Sequence, residues 1–116
     1  MSQMLQLADA YLAAATPGRV RQTCWIARRG LEQIVEQLLR SRGFVMPEAT
    51  MAAKLITVQV AFEGTRIPAL AWHSWQALSR ACHQHAYELS PTYAEVRGWL
   101  EDVHELAAEA YEAAQV

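Results

Sequence analysis

The sequence predicts an all-α protein built as an antiparallel bundle of about five helices. Apolar residues recur every three or four positions along most of the chain, which is the period of an amphipathic helix. The 5 glycines and 4 prolines fall mostly where these periodic segments end. A length of 116 residues favours a single domain over residues 1–116, with a four-helix core plus one further helix.

The first two helices are predicted over residues 2–15 and 19–42. "TPG" separates them, with Thr16 as the expected cap of the second helix. The second helix ends in "RSRG", basic residues followed by glycine, which is typical of a helix C-terminus. Gly30 inside it costs about 1 kcal/mol relative to alanine and indicates close approach of a neighbouring helix. The apolar stripe of the first helix is predicted to contain Met4, Leu7, Ala8, Tyr11 and Ala15.

The third and fourth helices are predicted over residues 47–62 and 68–88. Two caps are open for the fifth helix. One is Ser90, which is followed by a proline, and the other is a capping box between Thr92 and Glu95. Each cap predicts a helix that begins within a few residues of the same point.

Composition and charge narrow the class of protein. The chain is 53% hydrophobic and 19% charged, with a net charge of −2, so it is globular and has no overall basic field for nucleic acid. Arginines cluster in residues 19–42 and acids in residues 95–112, which indicates either a basic ligand face with an acidic back or attraction between two helices. Without a signal-like or membrane-spanning segment, a cytoplasmic protein with no membrane contact is expected.

Arg80 to His85, "RACHQH", contains an arginine, a cysteine and two histidines. Cys82 and His83 are adjacent on a helix and point about 100° apart, which disfavours chelation of one ion. Since no second ligand pair of suitable spacing exists, neither a metal nor a cofactor is predicted. Cys82 lies on the apolar stripe, where a buried thiol has a raised pKa and makes a poor nucleophile; Cys24 is likewise expected to be reduced.

An arginine and a histidine can together cleave RNA without a metal. The 2′-hydroxyl attacks its own phosphorus, an imidazole serves as acid or base, and a guanidinium stabilises the charge on phosphorus. Arg80 and His85 have suitable chemistry, but on a continuous helix they point about 140° apart. They converge only if the helix loosens or across a dimer axis. His83, one turn after Arg80 on the same face, is the alternative acid or base, and His85 is alternatively a hydrogen-bonded histidine of the core.

The order of these features resembles the HEPN superfamily (higher eukaryotes and prokaryotes nucleotide-binding). The shared segments are "ARRGLE" at residues 27–32, "KLI" at 54–56, the R-x4-H motif of Arg80 and His85, and a last helix begun by Ser or Thr. The resemblance covers about residues 21–106. Within the superfamily, the chain is similar to an uncharacterised prokaryotic branch. The resemblance implies a small all-α domain with an R-x4-6-H motif at the end of the fourth helix.

The resemblance also implies a homodimer in which two such motifs form one metal-independent endoribonuclease site. Arg80 would bind the scissile phosphate and His85 would act as acid or base, with His83 and Tyr87 assisting. Such domains are frequent in toxin–antitoxin and phage-defence systems. Many relatives are inactive and keep only the dimer or a binding role.

Two further sets of residues bear on binding. Arg28, Arg29 and Tyr87 are predicted to contact RNA, although a solvated helix face is the alternative for the arginines. Trp72 and Trp75 are either a base-stacking platform or, as the spacing favours, one interface and one core residue. The alternative function is therefore a non-catalytic dimerisation or protein-interaction module, an accessory or antitoxin-like subunit of a larger protein partner.

Overall fold

The computed structural model describes residues 3–14, 18–83 and 91–114. All regular secondary structure in those residues is helical, which confirms the predicted all-α bundle of five helices. The helices are α1 (Gln3–Ala13), α2 (Arg19–Ser41), α3 (Met51–Ala61), α4 (Ile67–Cys82) and α5 (Tyr93–Ala114). Among the described residues, no helix is long and apolar enough to cross a membrane.

The long helix α2 lies at the centre of the bundle and packs against each of the other four helices. Its buried apolar residues follow the predicted period and are Cys24, Ala27, Leu31, Ile34, Val35, Leu38 and Leu39. They join buried side chains from every other helix, including Leu5, Val58, Leu78 and Val103, in one apolar cluster. The surface of the α2–α4 pair carries the candidate site, because these two helices pack side by side.

Glycines form both ends of α2. Gly18 precedes its first turn with a φ of 85°, a left-handed conformation that favours glycine. Thr16, the predicted cap, lies outside the described residues. At the other end Gly43, also at φ 85°, donates its N–H to the carbonyl of Arg40 at 3.0 Å, and the Phe44 N–H reaches that of Leu39 at 2.9 Å. This pair of bonds is a Schellman motif, which satisfies the last carbonyls of the helix.

The predicted apolar stripe of α1 is correct at Ala8, which is buried, and wrong at Leu7, which is exposed. The structure buries Leu5 and Leu12 instead, and Ala15 lies outside the described residues. Apolar residues occur on more than one side of this helix, so its own period does not decide which side packs inward. Contact with α2 decides it: a Cβ added at Gly30 would lie 3.2 Å from Cδ2 of Leu5. The close approach predicted at Gly30 is thus confirmed.

Threonines cap α3 and α5. Thr50 accepts a hydrogen bond from the Ala53 N–H at 3.1 Å, so α3 begins at Met51 and not at the predicted residue 47. Thr92 and Glu95 form the reciprocal capping box, with side chain-to-backbone bonds of 3.1 and 3.0 Å. Of the two caps open for α5, this one is observed; Ser90 lies outside the described residues.

The acidic residues of α5 interact mainly with the start of α4. Arg66, just before α4, pairs with Glu105 and lies 3.5 Å from Glu109. Within α4, His73 lies 3.9 Å from Asp102. These contacts join α5 to α4 and the residue before it, and not to the arginines of residues 19–42, so the attraction expected between those two segments stays a prediction.

Candidate functional site

The candidate site lies where the end of α4 meets the first half of α2. Nη1 of Arg28, on α2, lies 3.4 Å from Nε2 of His83, the residue that follows the last turn of α4. The His83 N–H still donates to the carbonyl of Ser79 at 3.0 Å, which holds its backbone against the helix. The contact joins residues 55 positions apart in the sequence.

The guanidinium of Arg28 is fixed by aromatic rings and a carboxylate. Its Cζ lies 4.5 Å from the ring centre of Trp75 and 5.9 Å from that of Trp25. Its Nε lies 4.0 Å from a carboxylate oxygen of Glu32, and the side chain is only 19% exposed. Cation–π contacts of this kind stabilise a cation by about 0.5–1 kcal/mol at exposed sites and more when desolvated. The two indole rings and Glu32 therefore hold the guanidinium of Arg28 in place.

The contact with Arg28 constrains the imidazole of His83. An arginine side chain donates hydrogen bonds and never accepts them. A bond from Nη1 of Arg28 to Nε2 of His83 thus requires an imidazole whose Nε2 carries a lone pair. Such a nitrogen can take up a proton, which is the property of a general base.

Arg28 also has one unsatisfied donor. Its Nε is buried and has no hydrogen-bond acceptor within the described residues. A buried donor without a partner costs about 1–3 kcal/mol. A hydrogen-bond acceptor that reached this Nε would remove the cost.

Arg80 is exposed on α4, one turn before His83. Neither an ion pair nor a hydrogen bond engages its side chain in the described part of the chain. Two acids of α5 are engaged with other arginines: Glu101 pairs with Arg97 at 3.3 Å, and Glu105 pairs with Arg66. A second guanidinium is thus accessible on the turn that leads to His83.

The predicted site residues have different outcomes. The structure brings together Arg28 and His83, which were predicted for separate roles. Arg29 points to solvent and pairs with Glu32 at 3.0 Å. His85 and Tyr87 lie outside the described residues, so their roles stay predictions. The fourth helix was predicted to continue to residue 88, whereas α4 ends at Cys82 because the His83 backbone, at φ −102° and ψ 21°, leaves the helical conformation.

Sequence reasoning missed Trp25. Its ring meets that of His83 edge to face, with centroids 6.4 Å apart and an interplanar angle of 74°. The side chain is 49% exposed. Its position three residues before Arg28 places both on one face of α2, which was a usable signal. Trp75 packs against the core as predicted, and Trp72 is 48% exposed, so its role at an interface stays a prediction.

The two cysteines are buried beside this site and carry free thiols. Burial raises the pKa of Cys24 to about 12, and the nearby Cys82 thiol adds to the shift. Burial also raises the pKa of Cys82, against an opposing effect of Arg28. The structure thus agrees with the prediction that Cys82 is a poor nucleophile.

Metal ligands do not gather at this site. Across residues 3–14, 18–83 and 91–114, no three His, Cys, Asp or Glu side chains are placed to hold one ion. No protein-family model, curated protein or solved structure matches the chain. The chemistry of the described residues is therefore the basis for any functional assignment.

Proposed function

We propose that this chain is a HEPN-like, homodimeric domain that acts on RNA as a metal-independent endoribonuclease. The observation that carries the proposal is the 3.4 Å contact between Arg28 and His83, with Arg80 exposed one turn earlier on α4. The contact places a cation beside an imidazole nitrogen that carries a lone pair. These are the two groups that cleavage by the ribose 2′-hydroxyl needs.

The proposed reaction moves one proton to His83. The guanidinium of Arg28 moves its hydrogen bond from Nε2 of His83 to a phosphoryl oxygen. The freed Nε2 takes the proton of a 2′-hydroxyl, whose oxygen attacks the adjacent phosphorus. The O2′–P bond forms, the P–O5′ bond breaks, and the guanidiniums of Arg28 and Arg80 balance the charge on the phosphoryl oxygens. A second, protonated imidazole gives a proton to O5′. The products are a 2′,3′-cyclic phosphate and a 5′-hydroxyl.

A homodimer formed through α2 and α4 would supply the second imidazole. Each copy contributes one Arg80 and one His83, so one histidine acts as base while the partner copy provides the acid. The proposal predicts a mass in solution of twice the 13.0 kDa chain. Sedimentation equilibrium measures this mass, and a monomer at every concentration at which RNA is cleaved contradicts the shared site.

The enzymatic test uses a labelled single-stranded RNA in EDTA. We expect cleavage to products with 2′,3′-cyclic phosphate ends, and losses of about a hundredfold or more for Arg80→Ala and His83→Gln. The matched controls, Arg97→Ala and His73→Gln, change an exposed arginine of α5 and an exposed histidine of α4 and should cleave like wild type. Intact RNA in EDTA, or an Arg80→Ala variant equal to wild type, contradicts the proposal.

A non-catalytic interaction module is the second candidate, and the outer face of α3 favours it. Ile56 and Val60, one turn apart, are both largely exposed, so this helix is apolar on its outer side as well. If RNA stays intact and Ile56→Lys abolishes dimerisation or binding of a larger protein, this second function replaces the first.

A further inference from the structure

We infer that the ligand of this site is single-stranded RNA, with one unpaired base stacked on the exposed indole of Trp25. The inference rests on the proposed function and adds the substrate class and a binding residue. The indole is 49% exposed although it is one of the largest apolar groups of the chain. Its edge-to-face contact with His83, at 6.4 Å between ring centroids, fixes it beside the imidazole.

The surroundings of Trp25 on α2 are cationic and polar. Residues three and four positions away on a helix are surface neighbours, and for Trp25 these are Arg21, Gln22, Arg28 and Arg29. Glu32 pairs with Arg28 and Arg29 and offsets part of their charge, so three guanidiniums and one carboxylate leave the helix face around the exposed indole positive. This face matches a ligand with flat rings and negative charges. RNA has both features, because each nucleotide carries a base with a π face and a phosphate.

Trp72 differs from Trp25 in the charge of its neighbours on the helix. It is 48% exposed, almost the same as Trp25, but its neighbours three and four positions away on α4 are Pro68, Ala69, Trp75 and Gln76. None of these carries a charge, so this surface suits another apolar surface. The two tryptophans are thus almost equally exposed, but arginines surround Trp25 on its helix and uncharged residues surround Trp72.

The strand must be single, because a base in a duplex is stacked and paired on the inside of the helix. Proteins that recognise unpaired RNA stack its bases on aromatic rings. A base on Trp25 brings its own ribose and the following phosphate toward His83 and Arg28. Stacking and cleavage thus act on the same nucleotide.

The test measures binding separately from cleavage. The probe is a fluorescent 2′-O-methyl oligoribonucleotide of about 12 nucleotides, which cannot be cleaved by its own 2′-hydroxyl, alone or annealed to its complement. Anisotropy at low salt is expected to show tighter binding of the single strand. We expect Trp25→Ala to weaken that binding about tenfold or more, Trp25→Phe to stay within about threefold, and Trp72→Ala to bind like wild type.

Each contrary result has its own meaning. If wild type cleaves RNA and Trp25→Ala binds and cleaves equally well, the inference fails while the proposed function stands. If wild type binds neither probe and leaves RNA intact, both fail. A Trp25→Ala variant that keeps its helical circular dichroism but becomes monomeric shows that Trp25 contacts a second copy, which also overturns the inference.

Discussion

Gly30 and Gly98 both lie inside helices but differ in how closely other residues approach them. A Cβ at Gly30 would lie 3.2 Å from Cδ2 of Leu5 and 3.4 Å from Cβ of Met4. A Cβ at Gly98, in α5, would have no such neighbour within 4 Å. Gly30 therefore allows α1 to approach α2, whereas Gly98 carries only the low helix propensity of glycine.

Substitution by alanine should separate the two positions. We expect Gly98→Ala to raise the free energy of unfolding by up to about 1 kcal/mol, through helix propensity alone. Gly30→Ala should give no such gain, because the new methyl group crowds the fully buried Leu5. Urea unfolding followed by circular dichroism measures both, and equal gains at both positions would contradict the close approach.

The buried thiol of Cys24 makes stability depend on alkaline pH. Its pKa is about 12 in the folded protein against an ordinary value of 9.0, so in this range the folded state keeps the proton that the unfolded chain releases. The stabilisation is fully present below pH 9.0 and is lost as pH rises toward 12, at up to about 1.4 kcal/mol per pH unit.

The Cys24→Ala variant isolates this effect. Other groups titrate in the same range, so the measured quantity is the difference in free energy of unfolding between wild type and variant, under reducing conditions. We expect the advantage of wild type to shrink steadily as the pH rises from about 9 to about 10.5, and to be lost in part by that pH. A difference that does not change with pH would show that the thiol is not protected by burial.

Short polar sequences determine where the helices begin. The capping box of Thr92 and Glu95 pairs two backbone N–H groups that lack partners inside α5. Its residues are three positions apart, so the sequence contained the whole motif. Thr50 is equally local, but its cap was missed because apolar residues before it extended the helical period.

Removal of the α5 cap should cost stability and a different cap should restore it. We expect Thr92→Ala to lower the free energy of unfolding by about 1 kcal/mol, and Thr92→Ser or Thr92→Asp to recover most of the loss. Thr57→Ala is the matched control, because the Thr57 hydroxyl only donates to the Ala53 carbonyl inside α3. A Thr57→Ala loss as large as that of Thr92→Ala would contradict the special role of the cap.

One central helix, α2, connects the bundle. Since α2 packs on the other four helices, and their buried side chains form one cluster, the bundle should unfold as a unit. Circular dichroism and tryptophan fluorescence should then give the same urea midpoint. Leu31→Ala, in the centre of α2, is expected to cost about 2–5 kcal/mol, and Leu7→Ala, on the exposed side of α1, much less.

Local sequence patterns predicted the helical class, the number of helices and the buried face of α2, and they offered the α5 capping box as one of two caps. These depend on residues within a turn or two of one another, where the helical period and hydrogen-bonding groups are local. Gly43, the glycine of the Schellman motif that ends α2, is likewise a local signal.

Contacts between helices determine which side of α1 is buried and which groups surround His83. A helical period shows which face of a helix is apolar but not which residue of another helix it meets. Arg28 and His83 come together across 55 positions because α2 and α4 pack side by side, and that packing depends on side-chain shapes throughout the core.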